Sequence, residues 1–470
     1  MPDSVTTCGK YRQPITLFAT LKITKVNTEG NHGMIRARTA RLLVWLLALV
    51  PVMLLLPGFG ASDFASPAAL LNALGRLTGV AGLALLLLAA ALSARVPGFD
   101  QPFGGLTRLW HTHHLLGAWS LILLLLHPIL LAMAAGTHGI DVAFATLFPP
   151  LSDIATWSGW LALVLMMVFL APSFHFFGRP DYERWKFVHR LSGPAVVLAL
   201  VHTFYFSRTM PGWADVLVWS AFAALAVGAV AWRFVFSRRI GRLPYRIKAV
   251  REPANNVVEL VLEPKKRSLE YQAGNFVYMT PFDRKLADGH REEHPYTLSS
   301  SPDEDTLRMA IKDLGDASRA IQDIRVGSKV TVEGPYGRFF KSPDRIQTPE
   351  LWVAGGIGIT PFLARMRHLK GRGEAANAHL IFCVQDEARA LFLDELQSLA
   401  DALPGFHLHM HYFYQEGPVN QDYLETVCPD LSEREIYICG PTPLNHLIQR
   451  HARAAGVPLS RIHTEEFELL

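Results

Sequence analysis

Four histidines stand inside stretches that are otherwise apolar: His113 and His127 in one, His189 and His202 in another. Ionisable groups within membrane spans are costly and by default functional. The two intervals correspond to about 21 and 19.5 Å of helix at 1.5 Å per residue. Imidazole nitrogens are among the axial ligands of haem iron. One histidine from each segment at each of two depths would therefore hold two six-coordinate haems, His113 with His189 and His127 with His202. At about 100° per residue, the first interval returns to within roughly 40° of its starting face, whereas the second falls roughly 140° short. The segment carrying His189 and His202 must then bend or rewind, and Gly193-Pro194 between them permits it. A lone intramembrane histidine is as readily a hydrogen-bonded packing residue. Four at paired depths favour ligation. His111 and His114 flank His113 and read as interfacial residues, and His175 reads as a loop residue. Arg190 and Arg208 lie beside the inner and outer depths, where guanidinium groups could meet propionates; for Arg190 a plain membrane anchor fits equally.

These residues need helices to carry them, and the composition supplies them. The chain has 470 residues, 50% hydrophobic and 18% charged, with a mean hydropathy of +0.20. Disordered chains are poor in apolar residues, so disorder is excluded. Uncharged runs at 83–92 and 121–126 argue against a purely soluble protein. A net charge of +4 does not point to a nucleic-acid partner. Cys8, Cys383, Cys428 and Cys439 form no CxxC pair, which fits a reducing compartment and argues against a disulfide framework or a zinc site. Residues 1–39 are polar and patternless and lack the form of a signal peptide. They read as a cytosolic, disordered tail, with Met34 a natural start.

Six segments approach the ~20 apolar residues that a helix needs to cross a bilayer: about 40–57, 77–95, 109–135, 154–172, 186–206 and 212–236. Arg36, Arg38, Arg41, Arg95, Arg108, Arg179, Arg184, Lys186, Arg238, Arg239 and Arg242 all fall on one side. The positive-inside rule then places both termini in the cytoplasm. No acidic partner for the histidines is expected within the spans, which weighs against a proton-relaying transporter.

Beyond residue 239 the pattern changes. Short β-type runs at 257–262, 275–280, 307–311 and 329–332 describe a small antiparallel barrel. Strands at 351–354, 379–384, 407–412 and 436–438 alternate with helical stretches, the pattern of a doubly wound α/β domain. The run His294-Pro295-Tyr296-Thr297-Leu298-Ser299-Ser300-Ser301-Pro302 ends a strand of the barrel. A hydroxyl at Thr297 can bond a flavin ring edge, Tyr296 can stack and His294 can approach a phosphate. Gly355-Gly356-Ile357-Gly358-Ile359-Thr360-Pro361 follows a strand and opens a helix, the setting of a dinucleotide-phosphate loop.

The hydroxyl-rich run resembles the flavin-binding motif of the ferric reductase / NADPH oxidase family, membrane relatives of ferredoxin-reductase-like flavoproteins. Lys312-Asp313-Leu314-Gly315-Asp316-Ala317-Ser318 is similar to its pyrophosphate loop, through Gly315 and Ser318. The 355–361 run is similar to its nicotinamide-dinucleotide loop, through Gly355, Gly356, Gly358, Thr360 and Pro361. Cys439-Gly440-Pro441 is similar to its nicotinamide-side motif. His113-x3-Gly117, His127-Pro128 and Tyr182-Glu183-Arg184-Trp185 before His189 extend the resemblance over about 76–470.

The resemblance implies a multi-domain membrane protein of the bacterial inner membrane. A six-helix all-α haem domain would span 40–238, an antiparallel β-barrel FAD domain 243–345, and an α/β doubly wound NAD(P)-binding domain 350–470. Electrons from cytosolic NADPH or NADH would pass through FAD and two b-type haems to an acceptor outside, a ferric chelate first and oxygen second. A superoxide-generating oxidase is the alternative, and a non-enzymatic haem-binding subunit with a partner is the alternative of another class.

Departures from the family are informative. Gln385, followed by Asp386-Glu387, stands where many NADPH users carry an arginine, which leaves NADH open. Leu131 stands where eukaryotic oxidases carry a further histidine, which weighs against dedicated superoxide production. Phe467 is the candidate for the family's flavin-shielding aromatic. No calcium-loop pattern is present.

Overall fold

The computed structural model describes residues 32–96, 98–173, 182–206 and 212–465. Phe467, Arg208 and His175 lie outside the described residues.

The first half is helical: α1 (His32–Leu55), α2 (Pro67–Leu92), α3 (Leu106–Gly136), α4 (Ile140–Leu147), α5 (Ile154–Leu170), α6 (Tyr182–His189), α7 (Ser192–Phe206) and α8 (Gly212–Ala231). Among the described residues, six helical spans are long and apolar enough to cross a membrane, α6 and α7 together counting as one. In lipid only structures that satisfy their own backbone groups survive, which selects helix here. Exposed apolar side chains such as Leu47, Ile129, Val168 and Val197 cover their outward faces. Residues 32–39, expected as tail, belong to α1. The second span starts ten residues earlier than expected because Ser66 caps Pro67–Leu92, accepting from Ala69 N at 3.2 Å.

Two local features position the histidines. On α2, Gly75, Gly79 and Gly82 fall on one face, and β-carbons there would lie 2.7–2.8 Å from Leu131, His127 and Leu124 of α3. Small residues at this spacing let two backbones approach closely. In the fifth span, helix stops at His189 and restarts at Ser192. Pro194 lacks the N–H that would bond Arg190 and its ring crowds that carbonyl, so the interruption falls at Arg190–Leu191, just ahead of Gly193-Pro194. His189 and His202 therefore sit on separate helices, as their spacing required. Asp215 sits in the first turn of α8, 4% exposed.

The soluble half holds two sheets. β1 (Arg242–Ala254), β2 (Val257–Pro264), β3 (Phe276–Pro281), β4 (His294–Thr297), β5 (Leu307–Lys312) and β6 (Lys329–Tyr336) form a curled antiparallel sheet in the order β4-β3-β6-β1-β2-β5. Alternate residues Val258, Leu260 and Leu262 of β2 face its core with Met309 and Ile311. A short helix α9 (Asp316–Ala320) follows β5.

The last domain runs β7 (Glu350–Gly355), α10 (Thr360–Arg372), β8 (Ala378–Val384), α11 (Leu393–Ala402), β9 (Phe406–Tyr412), α12 (Phe413–Glu416), α13 (Gln421–Val427), β10 (Glu435–Cys439), α14 (Thr442–Ala454) and β11 (Ile462–Glu465). Its parallel sheet has the order β11-β10-β7-β8-β9. The direction of winding reverses between β7 and β10, so the crevice beyond their carboxyl ends is where such sheets bind ligands. The expected runs were found as strands, β4 being the one that the hydroxyl-rich run was expected to end; β1 and β11 were added by pairing with their neighbours.

Candidate functional site

The four span histidines come together as two pairs. The ring centroids of His113 and His189 are 6.3 Å apart, and those of His127 and His202 are 6.2 Å apart. Backbone carbonyls orient three of the rings. Nδ1 of His113 bonds Ala89 O at 2.7 Å, Nδ1 of His127 bonds Gly75 O at 2.7 Å, and Nδ1 of His202 bonds Ala155 O at 2.8 Å. A carbonyl only accepts, so each Nδ1 carries the proton and each Nε2 is left with its lone pair. The His189 ring is held instead between Trp185 and Phe169, at centroid distances of 5.0 and 5.1 Å.

A metal-centred planar group, if bound, would be held by His113 with His189 and by His127 with His202 through their free Nε2 atoms, and would supply one-electron chemistry there. Gly117 and Gly193 each sit one turn beyond an inner histidine, and a β-carbon at either would meet nothing within 4 Å. Open space is therefore left beside these two histidines. Among the described residues no group of three or more His, Cys, Asp or Glu could hold a metal ion. His114 lies beside His113 at 5.5 Å between centroids, outside the facing pair. Arg190 lies over the Phe187 ring at 5.9 Å.

The second site is a cavity of about 920 Å³ where the barrel, the parallel sheet and the start of α3 meet. Pro295, Tyr296 and Thr297 of β4 form one wall with Ser318. Gly355, Gly356, Thr360, Gly440 and Pro441 form the opposite wall, at the winding reversal. The glycines are there for closeness. A β-carbon on Gly358 would lie 2.1 Å from the carbonyl oxygen of Cys439, and one on Gly355 would lie 2.8 Å from Pro441. Only bare backbones let the two loops meet this closely.

Other expected residues stand just behind these walls. His294 is not among the lining residues, and its Nε2 meets Glu292 at 3.2 Å. Gly315 opens α9, but the Ser318 hydroxyl is spent locally, accepting from Leu314 N at 2.8 Å and donating to Gly315 O at 3.0 Å. Pro361 starts α10. Cys439 is fully buried at the end of β10, and burial pushes its thiol well above the usual range. Sequence reasoning missed many of the lining residues, Thr107, Phe276 and Glu465 among them. Glu465 pairs in register with Cys439, and burial, opposed in part by Arg108, raises its carboxyl to about 7. The terminal Glu465-Glu466-Phe467 run was the available signal, read only for its aromatic.

Three family models match the chain: a ferric reductase like transmembrane component over residues 78–200, a FAD-binding domain over 242–339, and an oxidoreductase NAD-binding domain over 352–450. The glycine betaine monooxygenase reductase subunit of Chromohalobacter salexigens is 28% identical over 194 residues, 38% of this chain and 52% of that protein. The ferredoxin reductase component of 3-ketosteroid-9-alpha-monooxygenase from Mycolicibacterium smegmatis is 32% identical over 208 residues, 43% of this chain and 57% of that protein. The chain thus spans about half the length of the curated relatives it matches. Among solved structures, flavohemoglobin from Malassezia yamatoensis, with bound FAD and heme, is 18% identical with a TM-score of 0.44, covering 74% of this chain and 88% of that one. The FAD/NAD binding domain of nitric oxide dioxygenase from Vibrio cholerae is 21% identical with a TM-score of 0.43, covering 47% and 97%.

Proposed function

We propose that this chain, which has the three-part architecture of the ferric reductase / NADPH oxidase-like flavocytochromes, carries electrons from a cytosolic nicotinamide nucleotide through FAD and two b-type haems to an acceptor across the membrane. One observation carries the reading. Thr107, the second residue of α3, lines the cavity, and the same helix presents His113 six residues on and His127 a further 14. A single rigid element joins the proposed flavin site to both histidine pairs.

When bound, the groups supply hydride acceptance at the flavin and one-electron passage at the irons. The chain's own residues do the rest. Gly355–Gly358 and Gly440-Pro441 receive the dinucleotide phosphates, while Thr297 and Tyr296 bond and cover the flavin ring. Glu465, near neutrality at pH 7, exchanges a proton at its carboxyl oxygen as charge changes in the cavity. Gln385 and Asp386, beyond the end of β8, favour a ribose hydroxyl over a 2′-phosphate and hence NADH. If His127 and His202 held the outer haem from both faces, the acceptor would be met at its edge, a ferric chelate before oxygen. Leu131 supports that order: it packs on Gly75 where an oxidase carries its additional histidine. The excess of Arg and Lys on one side puts both termini in the cytoplasm of a bacterial inner membrane.

The test is a reduced-minus-oxidised visible spectrum of detergent-purified protein with FAD, titrated separately with NADH and NADPH. Bis-histidine b-type bands should rise with the nucleotide. A chain without haem bands would overturn the reading. Haem bands that no nucleotide reduces would leave the non-enzymatic haem-binding subunit.

A further inference from the structure

The joint between the membrane helices and the barrel is buried and ionic. Arg95, three residues beyond α2, is 3% exposed. Its guanidinium donates to Glu293, lies 3.3 Å from Glu333, and stacks 3.8 Å over Tyr278. Arg233, from the π-helical segment Trp232–Gly241 that continues α8, donates to Glu293 at 2.7 Å. Arg242 opens β1 and donates to Glu293 and, at 2.9 Å, to Glu333. Trp232 Nε1 donates to the Arg95 carbonyl at 3.2 Å, and the Tyr336 hydroxyl reaches the same oxygen at 3.2 Å. In the same connecting loop, buried Asp100 accepts from the backbone of Gly337.

Two short stretches of chain lead away from this node. Ala89, six residues before Arg95, accepts the proton of His113 Nδ1. Glu293 directly precedes β4, whose Pro295, Tyr296 and Thr297 wall the cavity. Buried ion pairs add little stability over apolar packing, because desolvation offsets the attraction; register is their best-attested use. Forked guanidinium–carboxylate bonds are directional, so they specify one position where greasy surfaces could slide.

We propose that Arg95, with Glu293 and Glu333, is a positioning device that holds the flavin-binding strand in fixed register with the inner histidine pair. It thereby sets the path for electron transfer between them. The inference rests on the function proposed above. None of these residues touches a reacting atom.

The test uses the full chain in nanodiscs, loaded with FAD and haem, as wild type, R95Q, R95K and the less buried R242Q. Flavin reduction by NADH, the following haem reduction, and amide exchange across 95–105 and 294–297 are measured. R95Q should slow haem reduction at least tenfold, leave flavin reduction within about twofold, and raise exchange on both sides of the joint. R95K should recover most of the lost rate, which a general loss of folding would not allow. Wild-type haem reduction and unchanged exchange in R95Q and R242Q would overturn the proposal. Should R95Q not fold, R242Q decides by the same criteria. If the wild type holds no haem, the functional reading fails by itself, and exchange alone judges the joint: unchanged exchange sinks it, raised exchange sustains the register.

Discussion

Gly159 of α5 and His202 of α7 approach so closely that a β-carbon on the glycine would lie 2.6 Å from Nδ1 of the imidazole. Gly79 of α2 stands in the same relation to His127, at 2.7 Å. The outer pair is thus cradled by two bare backbones, each beside a ring whose Nδ1 already bonds a carbonyl. G159A should push His202 off its bond to Ala155 and weaken the outer site alone. Haem content should fall toward one per chain, with the inner site intact; G228A, which meets nothing within 4 Å, should keep both. Full haem content in G159A would show that the cradle is dispensable.

Gly358 makes the corresponding demand in the nucleotide site. A methyl group there would overlap the Cys439 carbonyl, and backbone cannot swing aside as a side chain can. G358A should cost about 1–3 kcal/mol or more and raise the nucleotide KM at least tenfold, while FAD stays bound. Calorimetric unfolding and nucleotide titration of the same preparation check both halves.

Glu465 gives the site a pH dependence. Burial raises its carboxyl to about 7, so the folded chain keeps a proton that an unfolded one loses at its ordinary value of 4.5. That proton leaves as pH rises through 7, and its stabilising share goes with it. Flavin reduction by NADH should show an inflection near pH 7 in the wild type and none in E465Q. An inflection that persists in E465Q would assign it to another group.

Glu293 titrates in the opposite sense. Burial alone would raise it, but Arg95, Arg233 and Arg242 overcome this and hold it at about 2 against an ordinary 4.5. Its stabilisation, on the order of 3 kcal/mol, is complete above pH 4.5 and is lost as pH falls toward 2. Acid should therefore loosen the barrel from the membrane helices. In E293Q the thermal midpoint should start lower and fall less steeply across that window, as followed by light-scattering-corrected calorimetry.

Much of this arrangement was legible in the residues themselves. Apolar runs long enough to cross a bilayer can only be helices there, so the spans followed from composition. The 13-residue interval between His189 and His202 cannot place both on one face of a straight helix, so a break was required, and Pro194 located it within a few residues. Hydroxyl-rich and glycine-rich loops declared their ligand class because phosphates need bare backbone N–H groups. What composition could not reveal is which distant residues meet. Thr107 reaches the cavity, Glu465 closes it, and Arg95 finds Glu293 from 198 positions away; each has an ordinary local context. Likewise, nothing in Gly79 or Gly159 alone announces a histidine ring against it. Periodicity and backbone chemistry act within a few residues and can be read along the chain, whereas desolvation, paired charge and close approach arise only once the elements have packed.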